Sequence, residues 1–162
     1  MRSLILPNDA FCFEAAGLRL SVCPALCGAD VQQRGGELAV HEARTNLPDG
    51  EIKIIACIDE PAALLQAASF IKASPRLIAI TWDPDALAKA LHAQRDSETL
   101  RHARSMVVMA ARAAGVPALD CAAPDLTDNE LRRACVEARR DGFDGKLAAN
   151  VAQQQVIEQA FA

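Results

Sequence analysis

Long apolar runs are missing from this 162-residue chain. A membrane-crossing helix needs ~20 consecutive apolar residues, and the longest near-apolar stretch here is Met106–Ala111. The opening MRSLILPNDAF also lacks the apolar core of a secretion leader, because Pro7, Asn8 and Asp9 cut its short patch off. The expectation is a cytoplasmic protein with no membrane partner. An excess of positive charge is lacking too. The net charge of −4 argues against an electrostatic grip on nucleic acid. Cysteines stand at 12, 23, 27, 57, 121 and 135, but only Cys23 and Cys27 are close. No second pair or histidine partner completes a zinc pattern, so small buried thiols are expected. Glycine-rich phosphate loops of the G-x-G-x-x-G or P-loop type follow no strand candidate. Low-complexity tracts and internal repeats are absent.

What is there suits one globular domain over residues 1–162: 51% hydrophobic and 23% charged residues. Short apolar or β-branched runs alternate with longer amphipathic stretches. The strand candidates are Ser3–Leu6, Leu18–Cys23, Ile52–Ile58, Leu77–Trp82, Ala118–Cys121 and Gly145–Ala149. Their nearly continuous hydrophobicity is that of strands buried on both faces of a parallel sheet. Between them, Pro61 opens a helix expected over Ala62–Ala73. Glu98–Ala114 follows an Asp96/Ser97 cap and stops at Gly115. Thr127 and Glu130 form a capping box for a helix reaching Arg140, with Gly142 beyond it. His41, His92 and His102 fall on expected helices with no ligand spacing, and Trp82 is expected in the core. The arginines from Arg132 to Arg140 read as a solvated helix face.

Alternating strands and helices predict an α/β fold with a parallel sheet. A complete (β/α)₈ barrel takes about 250 residues, which exceeds the chain.

Three stretches carry a family resemblance. Residues 103–120, ARSMVVMAARAAGVPALD, resemble the penultimate helix and strand of the citrate lyase β-subunit family. Residues 142–149, GFDGKLAA, resemble its last strand, and residues 54–60, IIACIDE, its fifth. This is the HpcH/HpaI aldolase and citrate lyase superfamily. The resemblance covers roughly residues 17–162 and implies an incomplete TIM-like barrel of about six parallel strands with surrounding helices. Two βα units of the family have no counterpart, since only Ala10–Gly17 fills their place. With them go an acidic pair and a carboxylate-gripping arginine.

The implied reaction is reversible C–C cleavage of a hydroxyacyl-CoA thioester, with Mg²⁺ chelating a keto or hydroxy acid. Negative charge builds on oxygen as the bond breaks, and a hard cation stabilises it. The family's first metal ligand, a glutamate, falls on Asp59. Its second, an aspartate, falls on Ala86, with Asp85 and Asp83 close by. Asp59, Asp83 and Asp85, together with Glu60, could converge at adjacent strand ends and hold Mg²⁺. They are equally acids at helix N-termini, favoured there by the macrodipole at ~0.3–1 kcal/mol each. The resemblance puts Asp120 near the pantetheine side of CoA and Asn150 where the family usually has the histidine of a His-Pro pair. Lys146 matches too, as a strand-packing residue.

The implied function is that of a citrate lyase β-like protein with a degraded site and little or no activity. The alternative is an active Mg²⁺-dependent lyase with a rearranged acidic site. Either way the implied partner is a CoA thioester or small keto acid. Two strand edges, of Ser3–Leu6 and Leu18–Cys23, are left over. They are expected to close on each other or to be covered by another chain. Family members are commonly trimers, so a homo-oligomer, with a trimer favoured, is expected.

Overall fold

The computed structural model describes residues 53–162 in full and, ahead of them, the backbone of three strands. These three are β1 (Ser3–Ile5), β2 (Cys12–Ala15) and β3 (Leu18–Pro24). The others are β4 (Lys53–Ile58), β5 (Leu77–Trp82), β6 (Leu119–Asp120) and β7 (Gly145–Ala148). One sheet runs β2-β3-β4-β5 and the other β1-β7-β6. A parallel bridge between Ile80 and Ala118 links them, with the Ile80 amide donating to the Pro117 carbonyl at 3.0 Å. Every strand pair is parallel except β2 with β3. No pairing among the described residues joins β1 to β2, so the described strands form no closed barrel.

The expected strands are all present, but β2 was not anticipated. It folds back on β3 in an antiparallel ladder from Cys12↔Ser21 to Ala15↔Leu18. The β3 edge is thus covered by the chain's own preceding residues, an outcome that neither expected closure anticipated. Only two residues of sequence separate the two strands, and only antiparallel neighbours can be joined over so short a span.

Strand alternation decides what each face meets. Ile54, Ala56, Ile58, Ile80 and Trp82 belong to the main core, packed with the helices. Ile55, Ala79, Leu119 and Leu147 cluster separately. Because side chains alternate with period two, these are opposite faces of the sheet.

The helices are α1 (Pro61–Leu65), α2 (Pro84–Ala90), α3 (Glu98–Ala114), α4 (Asp128–Arg140) and α5 (Val151–Ala160). The helix expected over Ala62–Ala73 is shorter. After Leu65 the chain tightens into a 3₁₀ turn over Ala67–Phe70. That turn buries Phe70 fully while Leu65 is left exposed. A fully buried Phe or Leu contributes roughly 1.5–3 kcal/mol, which outweighs the poorer 3₁₀ hydrogen bonding. His92 is not on a helix either. It lies past the end of α2 in the left-handed region, at φ 51°. His102 is on α3 and exposed; His41 lies outside the described residues.

α3 buries Leu100, Ala103, Val107, Ala110 and Ala111, a stripe at helical spacing whose alanines permit close approach. It ends at Gly115 with φ 73°, as a C-terminal glycine should. The predicted capping box of α4 is formed. The Thr127 amide donates to Glu130 Oε2 at 2.9 Å and the Thr127 hydroxyl at 2.6 Å. Gly142 follows α4 at φ 100°, and a Cβ there would stand 3.1 Å from Val108 Cγ1. The positive φ favours glycine, and an added Cβ would crowd Val108.

Candidate functional site at the strand ends

Parallel strands deliver the residue after each strand to one edge of the sheet. Ile58 and Trp82 are register partners, so Asp59 and Asp83 stand side by side beyond β4 and β5. The Asp83 amide donates to the Ile58 carbonyl at 3.0 Å. Beside them lies a cavity of about 230 Å³. Cys57, Thr81 and Leu147 of the strands line it, with Cys121 just past β6. Asp83, Asp85 and Arg95 form its charged rim.

The acids are committed. Asp83 is the N-cap of α2, its Oδ1 accepting from the amides of Asp85 at 2.9 Å and Ala86 at 3.0 Å. Asp85 takes both hydrogen bonds of Arg95 Nη1, at 2.7 and 2.8 Å. Asp59 is half-buried and Glu60 exposed. The Cys57 thiol is pushed far up by burial, then by the negative charges of Asp59 and Asp83. Cys121 is pushed up to about 11, chiefly by burial. Both thiols are therefore neutral near pH 7, and neither is an activated nucleophile. The Thr81 hydroxyl is buried and, among the described residues, has no hydrogen-bond partner.

Magnesium needs near-octahedral oxygen ligation, usually with one or two free carboxylates. Among the described residues no three His, Cys, Asp or Glu side chains gather as a metal-holding group. Asp85 is neutralised by Arg95, Asp83 is bound to two amides, and Ala86 offers no ligand. The donor set as it stands does not fit Mg²⁺: the Asp83 side chain caps α2, and the Asp85 side chain, in the first turn of that helix, pairs with Arg95.

Asp120 sits elsewhere. Leu119 faces the small cluster, so Asp120 faces the helices. Its Oδ1 accepts from Trp82 Nε1 at 2.9 Å. Its Oδ2 accepts from Lys146 Nζ at 3.1 Å and Arg104 Nη2 at 3.3 Å. Arg104 also donates to Asp141 and lies over the Phe143 ring, 4.7 Å from its centroid. Lys146 and Arg104 hold the Asp120 carboxyl below the usual carboxylate range, overcoming the opposing effect of burial, with Trp82 adding its hydrogen bond. This is a sheet-to-helix clasp in which the two carboxylate oxygens accept three hydrogen bonds, at a cavity that Asp120 lines with Arg101, Arg104 and Arg140. Asn150 caps α5, its side-chain oxygen accepting from the Gln153 amide at 3.0 Å.

A strand-end site on a parallel sheet fits the profile that residues 19–151 match, that of HpcH/HpaI aldolase/citrate lyase. The chain belongs to this family. The citrate lyase subunit beta of Haemophilus influenzae is 33% identical over 117 residues, which are 70% of this chain and 40% of that protein. The chain thus matches well under half the length of this curated relative. Two solved structures from Mycobacterium tuberculosis share the fold. The citrate lyase beta subunit complexed with oxaloacetate and magnesium superposes with a TM-score of 0.67 at 24% identity, over 88% of this chain and 60% of that one. Protein CitE in complex with magnesium, acetoacetate and coenzyme A gives 0.68 at 24%, over 88% and 51%.

Within this family member, Asp59, Asp83 and Asp85 lie at the strand-end edge where the sequence puts them, and the cavity there is also lined by Thr81, Cys57, Cys121 and Arg95, which the sequence reading does not single out. Strand parity was the available signal for the first two, since Ile55 and Ala79 share their face. Arg95 lies in the connection between α2 and α3, where no periodicity points anywhere.

Proposed function

We propose that this chain is a citrate lyase β-like member of its family whose C–C lyase site is degraded, leaving little or no cleavage of hydroxyacyl-CoA thioesters. The observation that carries this reading is the state of the rim acids: Asp83 Oδ1 is held by two amides of the α2 N-terminus and both oxygens of Asp85 by Arg95. Cleavage develops an enolate oxygen whose charge must be met by a preorganised cation. At this rim the charged nitrogen that is present already gives its Nη1 to a carboxylate.

The architecture proposed is an incomplete TIM-like barrel. The ligand proposed is a CoA thioester or small keto acid, which suits a chain resembling a protein solved with acetoacetate and coenzyme A. A cytoplasmic homo-oligomer, with a trimer favoured, completes the proposal. Gel filtration with light scattering tests it, and a monomer at all concentrations refutes that part.

The alternative, an active Mg²⁺-dependent lyase with a rearranged acidic site, is favoured by Asp59, which follows β4 where the family's first ligand falls. The deciding experiment supplies citryl-, citramalyl- and malyl-CoA to the protein with millimolar Mg²⁺ or Mn²⁺. No thioester loss and no metal-dependent thermal shift are expected. Sustained cleavage, or a shift abolished by Asp59→Ala, overturns the proposal.

A further inference from the structure

Another cavity, of about 630 Å³, opens on the helix side of the sheet between α3 and α4. Small-molecule sites run from roughly 300 to 1,000 Å³. Arg101, Arg104, Glu137, Arg140 and Asp141 line it, and its most deeply buried charge is Asp120, whose side chain is 6% exposed. Three guanidiniums thus face three carboxylates, but they are not all matched to one another. Arg104 is shared between Asp120 and Asp141, and with Trp82 and Lys146 it satisfies Asp120. Arg140 reaches Asp141 only through Nε, at 3.5 Å, and among the described residues its Nη1 and Nη2 have no partner. Arg101 gives Nη2 to Glu98 and has Nη1 and Nε unspent. The Glu137 carboxylate has no hydrogen-bond or ion-pair partner among the described residues either. Glu137 and Arg140 stand three residues apart on α4, a spacing at which opposite charges ordinarily pair, yet Arg140 turns to Asp141 instead.

We propose that this cavity binds a free α-amino acid as its zwitterion. The Nη1–Nη2 edge of Arg140, joined from α3 by Arg101, takes the carboxylate, and Glu137 takes the ammonium. The charge inventory selects this class. A simple anion would find the guanidinium edges but would sit beside the unpaired Glu137 carboxylate, and like charges so placed repel. A simple cation would find Glu137 beside two unspent guanidiniums. A molecule carrying both signs satisfies both and leaves the net charge of the cavity unchanged. Parallel N–H donors match a carboxylate in a two-pronged fork, and an ammonium brings three donors to a carboxylate. Arg104 and Asp120 remain bonded to each other behind the ligand and fix the wall. No bond is made or broken. The cavity shares no lining residue with the strand-end one, so this inference does not depend on whether lyase chemistry survives there.

Glycine and L-glutamine are titrated calorimetrically into the intact protein at neutral pH and constant ionic strength. Acetate and methylammonium, each carrying one of the two charges, are titrated beside them. Saturable binding of at least one amino acid is expected. Each single-charge probe should bind about tenfold more weakly or worse, because it lacks one charge-assisted contact. Glu137→Gln and Arg140→Gln should each weaken the amino acid about tenfold for the same reason. Both side chains are exposed, so these variants should keep the parent circular dichroism and melting. Arg95→Gln, at the rim of the strand-end cavity, should titrate as the parent does. Four results overturn the inference: no saturable heat with either amino acid; acetate or methylammonium binding as tightly as the amino acids, which marks a site for a simple ion; a Glu137→Gln titration equal to the parent; or loss of binding in Arg95→Gln, which moves the ligand to the other cavity.

Discussion

Replacing Asp120 by asparagine would remove one charge and almost no volume from the most heavily bonded carboxylate described in the protein. Lys146 and Asp120 side chains are only 3% and 6% exposed, so the ammonium left behind cannot reach water without moving the strand. Breaking a buried pair on one side costs about 3–5 kcal/mol, mostly for the stranded charge. At roughly 2–4 °C per kcal/mol for a chain of this size, melting should fall by roughly 6–20 °C. Urea unfolding followed by Trp82 fluorescence measures it, since the indole itself bonds to the altered group. The double change Asp120→Asn with Lys146→Met removes the stranded charge and should recover most of the loss. The pH dependence has a definite sign. The folded pKa of Asp120 is lowered, so its stabilisation is present above the unfolded value of about 3.9 and fades as pH falls through the folded one. Parent and Asp120→Asn should therefore begin to converge only as pH falls below about 4. A loss under about 1 kcal/mol, or no rescue by Lys146→Met, refutes the stranded-charge reasoning.

Two further expectations come from the same structure. Cys57 and Cys121 should resist iodoacetamide at pH 8 in the folded protein and react once urea is added, because burial and neighbouring acids keep them protonated; peptide mapping that finds either one rapidly modified in the native state contradicts this. Gly142→Ala should cost more than about 1 kcal/mol, since it combines a positive φ with a 3.1 Å approach to Val108; Gly115→Ala, with open space around its Cβ position, should cost less in the same melts.

Much of the fold was legible because local chemistry and tertiary role agreed. Leu77–Trp82 and Lys53–Ile58 are runs too apolar for anything but a strand covered on both sides. Gly115, Gly142 and the Thr127–Glu130 pair end or begin helices through their own backbone and side-chain preferences. β2 escaped notice because Cys-Phe-Glu-Ala carries neither a β-branched run nor clean alternation, and its pairing with β3 is a tertiary choice. The helix after Pro61 was drawn too long because burial of Phe70 overrides simple propagation. The acids at 59, 83 and 85 could be placed on one edge from strand ends alone, but not their partners. Arg95 reaches Asp85 from a connection ten residues on, and such pairing leaves no periodic trace. The resemblance puts Asp120 near the pantetheine side of CoA, while its parity after Leu119 puts it on the helix side, where its bonds to Trp82, Lys146 and Arg104 are tertiary pairings without a sequence signal.

Among the described strands, β1 pairs only with β7. Ser3, Leu4 and Ile5 align with Lys146, Leu147 and Ala148, so all the residues between them must be synthesised before β1 finds its berth. Until then its amides and carbonyls have only water or a stranger's backbone to bond. Contacts of such long sequence separation slow the search for the native state, and an unpaired strand in the interval is exposed to aggregation. Deleting β7 should thus harm solubility at the opposite end of the chain, through a strand that no deletion touched.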